Sequence, residues 1–233
     1  ILRDYEASYK AWTPYAKQRV YLNEGILGSP AAAFAASLIG VERALVTPNA
    51  AKGSAGQAIA AAAKARAAFL ESENKPSDQQ ILAATCHMLY TDIAKDQHPI
   101  GFYDALKSKF GSLDEDNTYR LWAASLMANT MIFDDTKWNA FVANPDAVTL
   151  QQDPLFAYAN AFIKSYVSKY QPLYSQFVTK NNDLGRAYLK GVMQMSPDAN
   201  RYPDANFTMR LSYGQVKSYA PRDAVHYDYV TTM

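Results

Sequence analysis

Along most of this chain apolar side chains recur every three or four residues, the period of an α-helix with one buried face. Leu2, Tyr5, Tyr9 and Trp12 make the first such stripe. Thr13-Pro14 interrupts it, with Thr as N-cap and Pro opening a second helix, or as a kink in one long helix. Ser29-Pro30 repeats that start signal before a helix over Ala31–Leu45, which Thr47-Pro48 closes. Gly53 and Gly56 loosen the approach to a strongly helical Ala58–Leu70. Asn74-Lys75-Pro76 reads as a turn and Ser77-Asp78-Gln79-Gln80 as a capping box, in which the serine caps an early N–H and Gln80 reaches back. The helix it starts carries Ile81, Leu82, Cys86, Leu89, Tyr90 and Ile93.

His98-Pro99-Ile100-Gly101 reads as a loop, followed by a short helix from Phe102 to Phe110 that Gly111 ends. Asp114 to Asp116 puts acid at the N-terminus of a helix through Leu121, Trp122, Leu126 and Met127, where it complements the helix dipole. Asp134-Asp135 opens a helix holding Trp138 and Phe141, and Asn144-Pro145 starts one more turn. Asp153-Pro154 begins the longest pattern: Leu155, Tyr158, Phe162, Tyr166, Tyr170, Leu173 and Phe177. Carried through to Met195 it spans roughly 63 Å at about 1.5 Å per residue. Pro172 lies inside it and predicts a kink near Val167–Ser168, one turn back.

After Ser196 the period changes. Ser196–Asn200 and Tyr202–Asn206 are rich in turn formers. Phe207, Met209, Leu211 and Tyr213 then alternate with Thr208, Arg210 and Ser212, the pattern of a strand. Val216 to Tyr219 continues it beyond Gly214, and Val225 to Val230 is a second strand. The fold class is therefore mainly α, a multi-helix domain with a long C-terminal helix and then a short β tail. So short a tail has no sheet of its own, and isolated hairpins are marginal in water. It points to a sheet completed by sequence outside this chain, and the start Ile1-Leu2-Arg3-Asp4, without Met or a signal peptide, to a processed product or an excised piece.

Composition narrows the function classes. The 233 residues make one large domain or two small ones, and 49% hydrophobic against 19% charged residues exclude disorder. A net charge of +1 argues against a nucleic-acid surface. No apolar run approaches the roughly 20 residues of a membrane span. The single Cys86 forms no internal disulfide and no Cys-rich zinc site. Alanine is densest between Ala50 and Ala68, and 17 tyrosines against 3 histidines suit half-buried seams between helices.

No catalytic constellation stands out. Leu27-Gly28-Ser29-Pro30 faintly resembles a nucleophile turn but fits a helix N-cap better. Cys86 and His87 are adjacent and so point about 100° apart on a helix, which makes a poor dyad. His98 precedes a proline and His226 lies on a strand, neither with a second ligand at metal spacing. Asp114-Glu115-Asp116-Asn117 lacks the glycine and the final glutamate of a calcium loop. Asn206-Phe207-Thr208 fits a glycosylation sequon. Arg210 could face an anion, or anchor Asp204. No cofactor is implied.

The stretch Tyr202–Val216, YPDANFTMRLSYGQV, resembles a hallmark segment of bacterial serine dipeptidyl-peptidases of the dipeptidyl-peptidase 7 and 11 group. Tyr202, Pro203, Asp204, Ala205, Asn206, Thr208, Arg210, Tyr213, Gly214 and Val216 match the family's usual form, while Phe207 replaces a small serine and Ser212 a threonine. Asp153-Pro154-Leu155-Phe156 and Tyr188–Met193 resemble its long-helix region, and Pro14–Lys17 with Asn23-Glu24 fits more loosely. The resemblance implies a helical domain inserted in a chymotrypsin-like double β-barrel, between the catalytic Asp and the nucleophilic Ser, where it caps the cleft. Residues 1–199 would be that lid and 200–233 the strands returning to the second barrel. The matched residues would then shape a domain junction, the hinge would lie at Ser196–Tyr202 or at Pro172, and the Ser-His-Asp triad would fall outside this chain. The resemblance further implies release of dipeptides from peptide N-termini, a peptide substrate, the rest of the parent peptidase as partner, a possible homodimer, and a place in the periplasm or on the cell surface of a Gram-negative bacterium. The competing reading is a self-standing helical module that binds a peptide or protein in its Tyr-rich grooves.

Overall fold

The computed structural model describes residues 1–47, 54–199, 201, 209 and 211–230. Eleven α-helices and one two-stranded antiparallel sheet occur among them. The helices are α1 (Leu2–Val20), α2 (Pro30–Ser37), α3 (Ile39–Val46), α4 (Ser54–Ser72), α5 (Lys75–Asp92), α6 (Phe102–Phe110), α7 (Asp116–Asn129), α8 (Asp135–Ala143), α9 (Ala147–Gln152), α10 (Pro154–Ser165) and α11 (Gln171–Met195). The strands are β1 (Tyr219–Arg222) and β2 (Val225–Tyr227). The chain divides into two compact units, Ile1–Leu189 and Lys190–Met233.

In the first unit most predicted starts are where the capping chemistry put them. Ser29 is fully buried and its hydroxyl accepts from Ala32 N at 3.1 Å. Gly28 is required there, because a Cβ would overlap the carbonyl oxygen of Glu24. The Leu27–Pro30 segment is thus a helix start and not a nucleophile turn. Asp134 caps α8 through Lys137 N, Asp146 caps α9 through Thr149 N, and Asp153 caps α10 through Leu155 N and Phe156 N. The predicted Phe102–Phe110 helix matches α6, and Gly111 ends it at φ 117°, a backbone region that favours glycine.

Two expectations in this unit need correction and two open readings are settled. Ala31–Leu45 is two helices: the Ser37 hydroxyl donates to Phe34 O at 2.6 Å and Leu38 N turns back to Ala35 O, so the helix tightens and breaks. Ser77 is not the cap of α5; Asn74 is, accepting from Ser77 N at 3.2 Å, with Pro76 in the first turn. Of the two readings of Thr13-Pro14, the single long helix holds: α1 runs through Pro14, and the Thr13 hydroxyl donates back to Tyr9 O at 2.8 Å instead of capping a new helix. The long C-terminal pattern is two α-helices joined by a wide π-helical turn at Tyr166–Tyr170. That turn falls at Val167–Ser168, the residues one turn before Pro172 where the sequence predicts an irregularity. Pro172 cannot supply the N–H that Ser168 O needs, so the ladder slips by one residue and Gln171 N bonds Tyr166 O instead. A similar turn at Tyr21–Ile26 leads from α1 into the Gly28 corner.

The core lies where α2, α5, α7 and α10 meet. Leu38, Leu82, Cys86, Ile132, Leu150, Leu155 and Phe156 are fully buried. Phe102, Trp122, Tyr158 and Phe162 pack edge to face with ring centroids 4.9–6.0 Å apart. Trp12 and Tyr9 of α1 close on Tyr174 and Phe177 of α11, at 5.1–5.8 Å.

In the second unit the strand forecast is only partly met. β1 and β2 form a hairpin in which Tyr219 pairs with Tyr227 and Arg222 with Val225, around a turn with Ala224 at φ 61°. Residues 211–218, read as strand from their alternation, carry no ladder. Alternation marks a strand only where a neighbour supplies the second row of hydrogen bonds. Met209 is 99% and Tyr213 94% exposed, and Leu211 and Val216 are also out in solvent.

Candidate functional site

Of the residues that the hallmark segment singled out, Tyr202, Pro203, Asp204, Ala205, Asn206, Thr208 and Arg210 lie outside the described residues, as does the sequon. Tyr213 and Gly214 are exposed and irregular, and the structure brings neither against another functional group. His226 sits on β2 with Nε2 3.4 Å from Asp228.

The remaining sequence candidates are structural. Cys86 is fully buried, burial pushes its thiol far above the ordinary range, and the Tyr103 hydroxyl donates to its carbonyl at 3.0 Å. A thiol that cannot ionise is not a nucleophile. His87 stacks on Tyr119 at 4.4 Å and pairs through Nδ1 with Asp116 at 2.7 Å. His98 is buried against Tyr103, bonded to Ile93 O, and its pKa is lowered mainly by that burial. Asp116 stands in the first turn of α7, where the acidic run was expected to serve the helix N-terminus.

Three buried carboxylates, whose partners in distant segments the sequence did not reveal, organise the unit instead. Asp153 accepts from Thr130 Oγ1, Met131 N, Leu155 N and Phe156 N, all within 2.7–3.0 Å, and so ties the α7–α8 corner to the start of α10. Asp78 of α5 accepts from Ala31 N at 2.7 Å, at the start of α2. The pKa of its neighbour Glu73 is pushed up to about 7 by burial and by the Asp78 charge beside it.

The third is Glu42 on α3, 7% exposed. Its Oε1 accepts from Gln151 Nε2 at 2.6 Å and lies 3.4 Å from Lys164 Nζ; its Oε2 has only a long 3.5 Å contact with Asn160 Nδ2. Asn160 is 6% exposed, and its Oδ1 has no hydrogen-bond partner. Both line a cavity of about 930 Å3 whose apolar wall includes Ile39, Val46, Ile163 and Val167 and whose cations are Arg43, Lys164 and Lys169. The wide turn after α10 forms one side of it. Only the four-residue spacing of Asn160 and Lys164 was visible in sequence; Glu42 lies more than a hundred positions away. Among the described residues no group of three or more His, Cys, Asp or Glu is placed to hold a metal ion.

The structure superposes on the crystal structure of Porphyromonas endodontalis DPP11 with a TM-score of 0.61 at 22% identity, over 97% of this chain and 31% of that one. In sequence, it is 24% identical over 235 residues to the Asp/Glu-specific dipeptidyl-peptidase of Flavobacterium psychrophilum, covering 99% of this chain and 31% of that protein. It is 27% identical over 168 residues to the dipeptidyl-peptidase 7 of Phocaeicola vulgatus, covering 71% and 22%. The description of the peptidase S46 family matches residues 1–233, and the chain belongs to that family. It spans about a third of the length of the relatives it matches end to end. Among the described residues no single helix is long and apolar enough to cross a membrane.

Proposed function

We propose that this chain is the helical substrate-capping part of a serine dipeptidyl-peptidase that releases dipeptides from peptide N-termini, acting in the periplasm or at the cell surface. Residues 1–199 form the lid and 200–233 lead back into a catalytic barrel, and the triad is supplied by sequence outside this chain. The match to the peptidase S46 family across residues 1–233 carries the reading. The solvent-exposed apolar side chains of the tail favour it over a self-standing module, since Leu211, Tyr213 and Val216 are exposed and pack on nothing among the tail's described residues.

The role is mechanical. A closing lid excludes water and holds the peptide's amino end in place while bond cleavage proceeds elsewhere. The test compares the whole polypeptide with this chain on dipeptidyl-coumarin substrates and their N-acetylated forms. The whole polypeptide should release the dipeptide from the free-amine substrate only, and this chain should release nothing. Hydrolysis by the chain alone, or an inert whole polypeptide, would overturn the proposal.

A further inference from the structure

We propose that the Glu42 cleft is a binding site for short peptides with both ends free, and that it works by exchanging ammonium groups. The cavity, at about 930 Å3, is of the size that holds small ligands and larger than a single amino acid needs. Its floor is made of acceptors. Glu42 Oε2 has one long contact, and Asn160 Oδ1 has none. The Asn160 amide cannot simply turn over to satisfy itself, because that would aim its oxygen at the Glu42 carboxylate. A buried acceptor without a donor is costly, so the pair is poised for a ligand that donates.

The rim has the opposite character. Arg43, Lys164 and Lys169 place three cations around one carboxylate, and among the described residues neither Arg43 nor Lys169 has an acidic partner. Lys164 holds Glu42 loosely: its ammonium stands at 3.4 Å, against 2.6 Å for Gln151, and the side chain is 64% exposed. A ligand ammonium can replace it on Glu42 and Asn160 without changing the charge of the site. Lys164, released, joins Arg43 and Lys169 in facing the ligand's carboxylate, while short side chains lie on Ile163 and Val167. A cationic end seated deep, an anionic end at the rim and an apolar wall between them match a zwitterionic peptide. The inference needs no hydrolytic activity and stands or falls separately from the proposed function.

Calorimetric titration of the 233-residue chain with Ala-Ala, N-acetyl-Ala-Ala, Ala-Ala-amide and alanine tests it. Ala-Ala should bind, and acetylation should weaken it by about tenfold or more, the size of one charge-assisted hydrogen bond. Amidation should weaken it less, and alanine should bind worse than Ala-Ala. Arg43→Ala and Lys169→Ala lie on the exposed rim and leave the core alone; together they should weaken Ala-Ala but not Ala-Ala-amide. Glu42→Gln should abolish the discrimination against the acetylated peptide. Absence of Ala-Ala binding by the folded chain overturns the proposal, as does binding that neither acetylation nor the Arg43/Lys169 pair of substitutions alters.

Discussion

The helical body and the tail of this chain treat apolar side chains in opposite ways. In residues 1–189 five helix starts are closed by Ser29, Asn74, Asp134, Asp146 and Asp153, and the large side chains interlock around Phe156 and Tyr158. In the tail Met209, Leu211, Tyr213 and Val216 face water, and the Tyr219–Tyr227 hairpin is the only regular structure among its described residues past α11. A stretch of chain holds its shape alone when its polar ends and its apolar face are both satisfied within it. The body comes close to that condition, with Asn160 Oδ1 among its few buried acceptors left without a donor. The tail does not, which is why the proposed function gives it a partner.

The sharpest way to break this contrast is at Asp153. Asp153→Ala strands Thr130 Oγ1, Met131 N, Leu155 N and Phe156 N together, and should cost about 3–5 kcal/mol in urea denaturation of the chain. Asp153→Asn keeps one acceptor and should cost less. Next in size is Arg66, whose Nε donates to Ile132 O at 2.8 Å, whose Nη2 pairs with Asp135 at 2.7 Å and whose guanidinium lies over Trp138. Arg66→Ala should lower stability by about 2 kcal/mol, mostly through the buried carbonyl left unbonded.

Glu73 gives a smaller, pH-dependent effect. Its folded pKa of about 7 stands above the ordinary 4.5, so between these values the folded chain holds more protons than the unfolded one. This contribution to stability is complete below pH 4.5 and is lost as pH rises through about 7. A thermal-melt series should show that decline, and Glu73→Gln should flatten it. The smallest effect belongs to the tail. Leu211→Ser with Tyr213→Ser should move the stability of the isolated chain by less than about 0.5 kcal/mol, since neither side chain is buried. In the whole polypeptide the same pair should destabilise measurably.

What was legible in the sequence follows the same line. Helix starts were readable because a cap and its partner lie within three residues of each other, as at Ser29, Asp134 and Asp153. The irregularity at Val167–Ser168 was readable because Pro172 acts one turn back. The break at Leu38 was not, since it rests on which acceptor the Ser37 hydroxyl selects. Nor were Glu42 with Asn160 or Asp78 with Ala31, because partners brought together from distant segments leave no local spacing behind. The alternation of residues 211–218 was read as a strand because the pattern records which side chains want burial, and says nothing of whether a neighbouring strand is there to provide it.

Hydrogen exchange, followed by mass spectrometry in the isolated chain and in the whole polypeptide, tests the central claim most directly: a self-sufficient body and a tail that awaits a partner. In the isolated chain amides of α5, α7 and α10 should be strongly protected and those of residues 211–230 should exchange at nearly the unfolded rate. In the whole polypeptide the tail should become protected as well. A tail already protected in isolation, or one that stays unprotected in the whole polypeptide, would contradict the account.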